Sequence, residues 1–262
     1  MNILIATNGH FARPEVSALA TALNKNHKVT IASMSRDGGH QALSFSTSGF
    51  PTRVEQFPYK EAMRGKVAKL DAFNGIMVHE FYSRPADAIS IMLGEIMKHD
   101  KPDLVMCGIS NGTNLGPDVY SSSHVGMAMQ AAFFKVPSIV VATEHKSGGN
   151  SEVNLKSVVQ FIEGNLEEFA NLPLPPHTFL NINIPRVERY SALKGVKYTK
   201  MGKSGREIGF DEKTTPNGHK YYWTKFYCVG NIPSKDDDRS WFEAGYVSIT
   251  PICYDATKGG ML

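Results

Sequence analysis

The chain is poor in cysteine. Cys107, Cys228 and Cys253 are three among 262 residues, at long unequal spacings, which argues against a disulfide framework or a cysteine-based zinc site and favours a reducing compartment. Long apolar runs are also missing. The apolar run at the start of "MNILIATNGH" is too short for the core of a secretion signal, and no segment reaches the roughly 18 apolar residues of a membrane span. The expectation is a soluble, cytoplasmic protein with no membrane partner. Charge of one sign is scarce as well: the net charge is +3, the pI is near 8.6, and no Lys/Arg run exceeds two residues. Nucleic acid is therefore not an expected partner, and any anionic ligand is small. Internal repeats and low-complexity tracts are absent, while 42% apolar and 20% charged residues make an ordinary globular composition.

What is present reads as alternating strands and helices. "NILIA" (2 to 6) is a short apolar run, "PEVSALATALNKN" carries apolar residues at helical spacing, and "HKVTIAS" (27 to 33) is β-branched and apolar again. A crossover of that length between buried strands implies parallel pairing with a right-handed connection. The pattern recurs in "ADAISIMLGEIMKH" (helix), "DLVMCG" (103 to 108, strand), "VGMAMQAAFFK" (helix), "PSIVVAT" (137 to 143, strand), a helix near 151 to 170 and "TFLNINI" (178 to 184, strand). This predicts a doubly wound, mostly parallel α/β sheet over residues 1–185. Residues 186–240, with "GVKYTKMG" and "HKYYWTKFYCV" between turn-rich stretches, predict a protruding β-hairpin extension, and 241–262 a last strand and tail, all within one overall domain. The aromatic residues Tyr221, Tyr222, Trp223, Phe226 and Tyr227 in that extension suit self-association. The run Asp236 to Asp238 reads as a solvated turn.

In such sheets ligands bind beyond the carboxyl ends of the strands, where loops enter helix N-termini whose N–H groups favour anions. Three loops qualify: Thr7 to Arg13, Met34 to Ser44, and Ile109 to His124. The third, in "GISNGTNLGPDVYSSSHVG", is long, rich in Gly and polar residues, and of a length uncommon for a structureless connection. Ser122 and Ser123 precede a helix, so they read either as a plain N-cap beside an exposed His124 or as a phosphate cradle with His124 as acid. His10, His40 and His124 all fall in the selected loops and could do acid/base work or bind a transition metal through imidazole.

These stretches resemble the SurE family of metal-dependent 5'-nucleotidases and phosphatases. "GISNGTNLGPDVYSSSHVGMAM" is similar to the family's G-I-N-x-G-x-N-L-G-x-D-V-x-Y-S-G-T-V-x-A-A-M; "RPADAI" to its T-P-T-D-C-V; "TFLNINIP" and "GYVSITP" to its L-N-V-N-x-P and G-Y-V-S-V-T-P. The resemblance implies a doubly wound sheet with a protruding hairpin, assembly as a homodimer or homotetramer, a divalent cation (Mg²⁺ or Mn²⁺), and hydrolysis of a small phosphorylated molecule, a nucleoside monophosphate. For that reaction this chain's own residues would supply catalytic groups in His124, with His10 as the alternative acid or base, and Ser123, and contacts to phosphate from Asn8, Gly9, Ser110, Asn111, Asn114, Ser122 and His40.

The cation positions differ from the family pattern. Where the family has S-N-D-D-G, this chain has "ATNGH", with Asn8 for the first Asp and Gly9 for the second. The family's Ser ligand aligns near Gly38, its Asn becomes Ser110, and its Y-S-G-T turn becomes "SSSH". Asn8 and Ser110, with Asp37 or Asn111 brought in by a loop shift, are the ligands left, and without carboxylate charge they would hold a hard cation weakly. Two rival readings follow. One is a SurE-like protein that binds a nucleotide or other anion without catalysis; the other, from "TNGHFARPEVSALATAL", is a nucleotide-sugar transferase.

Overall fold

In a computed structural model, residues 1–255 are described apart from 37, 48, 50, 67–69, 145–150, 204 and 229–234. The first strand, β1 (Asn2–Ala6), is buried along nearly its whole length, as an apolar strand flanked on both sides by parallel neighbours must be. Arg13 precedes Pro14, is held in an extended conformation by it, and so ends the turn that begins α1 (Pro14–Leu23). β2 (Lys28–Met34) returns parallel to β1.

β3 (Val54–Pro58), α2 (Tyr59–Ala62) and β4 (Met77–Phe81) follow, then α3 (Pro85–Ile91), β5 (Leu104–Asn111), α4 (Ser123–Phe133), β6 (Ser138–Thr143), α5 (Ser151–Asn171) and β7 (Thr178–Ile184). β8 (Val196–Tyr198), the hairpin β9 (Arg206–Thr214) and β10 (Lys220–Cys228), α6 (Asp238–Glu243) and β11 (Val247–Cys253) complete the order. The main sheet runs β3-β4-β2-β1-β5-β6-β7-β11-β8. It is parallel from β4 to β7; β3 and β11 pair antiparallel with β4 and β7. The expected doubly wound α/β architecture is therefore the observed one.

Strands β3 and β4 carried no signal in the sequence pattern, and the reason is in β4. "MVHEF" places His79 and Glu80, 5% and 8% exposed, inside the sheet, where the composition reads as polar. β8 lies within the stretch expected to project, yet pairs with β11 in the main sheet; the two-stranded ribbon is β9 and β10 alone.

Two apolar layers cover the sheet. Leu19, Leu23, Phe161 and Ile162 from α1 and α5 pack on one face; Ile89, Met127 and Ala131 from α3 and α4 pack on the other. Each buried Leu, Ile or Phe among them contributes about 1.5–3 kcal/mol. Among the described residues no helix is long and apolar enough to cross a membrane.

Candidate active site

The strand order turns outward in both directions from β1 and β5, so the loops leaving these two neighbours diverge and open a crevice at their carboxyl ends. A cavity of about 220 Å³ lies there. Asn8, His40, Ser110, Asn111, Asn114, Ser122, Ser123 and His124 all line it. Eight residues proposed from loops far apart in sequence thus share one polar cleft. His10 does not line it: its Nδ1 accepts from the Ala12 N–H at 3.1 Å, and its Nε2 lies 3.8 Å from Glu80 Oε1. Gly9 is buried behind the cavity wall, and Asp37 lies outside the described residues.

One wall is built by the loop after β5, and residues remote in sequence hold it. The Asn114 N–H donates to Asn183 Oδ1 at 2.7 Å, and its carbonyl accepts from Asn181 Nδ2 at 2.7 Å and Asn183 Nδ2 at 3.1 Å. Two residues on, the Gly116 N–H donates to Asp238 Oδ2 at 2.8 Å, while Asp238 Oδ1 accepts from Gly202 and Arg239. This corrects the solvated-turn reading for Asp237 and Asp238, while Asp236 is exposed as expected. Asp238 is fully buried and Asp237 is 5% exposed because both satisfy backbone N–H groups, Asp237 as the N-cap of α6. Burial pushes the Asp238 carboxyl above the ordinary range against the pull of its three N–H donors.

With its backbone clamped, Asn114 presents its side chain differently. The residue is 4% exposed, lines the cavity, and its Nδ2 has no acceptor among the described residues. A buried amide donor without a partner costs about 1–3 kcal/mol.

The N-terminus of α4 forms the adjoining wall. Ser122 is its N-cap, accepting from the Val125 N–H at 3.4 Å. Ser123, expected as a catalytic residue, is occupied otherwise: its hydroxyl donates to the Gly38 carbonyl and accepts from the Gln41 N–H at 2.9 Å. It fastens the β2 loop to the helix. Gly126 permits that closeness, since a Cβ there would lie 2.2 Å from the Ala42 carbonyl oxygen. His124, 3% exposed, accepts the Asn8 N–H at Nε2 over 3.4 Å, so a neutral ring carries its proton on Nδ1.

The opposite wall is the loop after β1. Its chemistry is basic rather than acidic. The cation implied by the resemblance would meet the amide of Asn8 and the hydroxyl of Ser110, but at residue 9 it meets a glycine with the Arg13 guanidinium against it. A Cβ built on Gly9 would lie 2.6 Å from Arg13 Cζ. Hard divalent ions need carboxylate charge and are repelled by a guanidinium, and among the described residues positions 8 and 9 supply no carboxylate. No cluster of three His, Cys, Asp or Glu side chains suited to an ion occurs among the described residues.

Arg13, Thr113 and Asp118 line the cleft without having been singled out in the sequence, and Asn181, Asn183 and Asp238 support it. The Asn pair did carry a signal. Two Asn at i and i+2 share one face of an otherwise apolar strand, and buried amides there require partners.

A family model described as Survival protein SurE matches residues 3–207. The chain is 31% identical over 252 residues to a 5'-nucleotidase SurE of Thermosipho melanesiensis, covering 96% of this chain and 91% of that one. It is 32% identical over 262 residues to a 5'-nucleotidase SurE of Petrotoga mobilis, covering 98% and 95%. Among solved structures, the crystal structure of a SurE protein from Aquifex aeolicus superposes with a TM-score of 0.75 at 25% identity, covering 98% of this chain and 95% of that one.

Proposed function

Because this chain belongs to the SurE family, we propose that its cleft hydrolyses the phosphomonoester of a small molecule, a nucleoside monophosphate. The observation that carries this reading is the polar cleft at the switch point, lined by Asn8, Ser110, Asn114 and the first turn of α4, where the buried Asn114 Nδ2 has no acceptor among the described residues. Orphan donors beside a helix N-terminus suit phosphoryl oxygens. In the reaction water attacks phosphorus, the ester P–O bond breaks, and the leaving oxygen takes a proton, giving the nucleoside and inorganic phosphate. That proton comes from the attacking water, and His124 is assigned a hydrogen bond from Nδ1–H to the leaving oxygen, because its Nε2 accepts the Asn8 N–H and the neutral ring keeps its one proton. Asn8, Ser110 and Asn114 position the phosphate, and no step is routed through a cation.

Assembly is assigned to the ribbon of β9 and β10, where Ile208, Phe210, Tyr222 and Trp223 are each more than half exposed. The side chain of Phe226 lies outside the described residues. A homodimer or homotetramer acting in the cytoplasm is the expected form; a monomer by light scattering at micromolar concentration rejects the ribbon's role. The activity is tested by phosphate release from a panel of nucleoside monophosphates with Mg²⁺, Mn²⁺, Zn²⁺ or chelator. Release from at least one nucleotide is expected, and none under any condition rejects the hydrolase reading.

A further inference from the structure

We propose that the Arg13 guanidinium supplies the positive charge that holds the phosphoryl group in this cleft, so that phosphate binds without a divalent cation. The proposal rests on the reading of the cleft as a phosphomonoester site. Its first support is space. A Cβ at residue 9 would come within 2.6 Å of Arg13 Cζ, 2.7 Å of Nε and 2.9 Å of Nη1, so the guanidinium occupies the volume that any side chain at residue 9 would claim. Glycine at 9 leaves that volume to the guanidinium. Placing a carboxylate at 9 displaces the arginine.

The second support is where the loop aims Arg13. Its N–H donates to the His10 carbonyl at 3.2 Å, closing the turn after β1, and its side chain does not cap α1. It lines the same cavity as Asn114 and the first turn of α4, and is the one Arg or Lys to do so among the described residues. Asp118, which also lines the cavity, lies 4.0 Å from the Arg239 guanidinium.

The third support is chemical complement. The Asn114 Nδ2, 4% exposed and without an acceptor among the described residues, asks for an oxygen. A guanidinium offers a planar fork of N–H donors to two phosphoryl oxygens at once and remains charged at every working pH. Together they give a phosphate what a divalent ion would otherwise give: charge and oxygen-directed contacts. Arg13 touches substrate in this scheme and is a binding residue, separate from His124, which donates a hydrogen bond to the leaving oxygen.

The test is calorimetric titration of the full chain with inorganic phosphate, in chelator and then with Mn²⁺. Binding in chelator is expected, and Arg13→Ala should weaken it about 10- to 100-fold, the scale of a charge-assisted contact. Arg13→Lys should restore part of the affinity, because an ammonium keeps the charge and loses the fork; it also serves if the alanine variant fails to fold. The double change Asn8→Asp with Gly9→Asp should abolish binding in chelator and create a Mn²⁺ site detectable without phosphate. Wild-type binding that vanishes in chelator and returns with Mn²⁺, or unchanged affinity in Arg13→Ala, overturns the role of Arg13 while leaving the phosphomonoester reading standing. Absence of phosphate binding under both conditions removes that reading and this proposal together.

Discussion

The two walls of the cleft differ in how they are made. The wall after β5 is a backbone scaffold whose shape is fixed by side chains elsewhere: Asn181 and Asn183 on β7 and Asp238 at the start of α6. The wall after β1 is short, closes between His10 and Arg13, and is held through its backbone: its carbonyls at Asn8, Gly9 and Phe11 accept from the Gly38 N–H, the Met34 N–H and the Tyr59 hydroxyl. One wall carries geometry and the other carries charge. The difference teaches where change is tolerated. A loop held by its backbone can carry a glycine and an arginine at positions 9 and 13 while those bonds stand, whereas the loop held by distant side chains cannot lose one of them without losing its form.

The sharpest way to break this contrast is to remove the anchor. Asp238→Ala strands the N–H groups of Gly116, Gly202 and Arg239, and should destabilise the protein by about 3–5 kcal/mol, since hydrogen bonds to a buried charge are each substantial. Urea denaturation measures it; a loss below about 1 kcal/mol would mean the loop holds itself. His124→Ala, on the adjoining wall at the start of α4, should reverse the pattern. It should lower kcat roughly 10²-fold, about 2.7 kcal/mol of barrier, with little change in melting temperature. Equal kcat would leave "SSSH" as a helix cap only.

The smallest effect belongs to a residue on neither wall. His79 in β4 is buried, and desolvation lowers its pKa below the ordinary value of 6.5. The folded state therefore favours the neutral ring, and the stability this gives is present above pH 6.5 and lost as pH falls toward the lowered value. His79→Gln should flatten the decline in thermal midpoint below that pH. An unchanged slope would assign the decline to other groups.

Much of the sheet could be read in advance. β1, β2, β5, β6 and β7 are apolar runs with turn chemistry at their ends, and α1 and α4 show helical spacing, so local pattern and tertiary role agree. β4 could not, because His79 and Glu80 are buried polar residues whose place is decided by the strands beside them. The cleft divides likewise. Asn8, Asn114 and His124 sit at strand ends and helix starts, where position alone marks them. Ser123 was visible as a residue but not as a fastening, since its partners Gly38 and Gln41 come from another loop. Arg13 stood within the selected loop, yet its meaning depends on Gly9 leaving room, which is a fact of three dimensions.

The bond from Gly116 to Asp238 spans 122 positions of sequence. On a ribosome the β5 loop emerges long before the acid that will hold it, so the central strands can pair while the cleft beside them is still unshaped. Ligand affinity should therefore mature after the sheet. Conversely, when the segment carrying α6 and β11 opens by local unfolding, the cleft should lose its shape while β1, β2 and β5 remain paired, so that ligand release reports the loosening of a distant element before any spectroscopic sign of unfolding in the core.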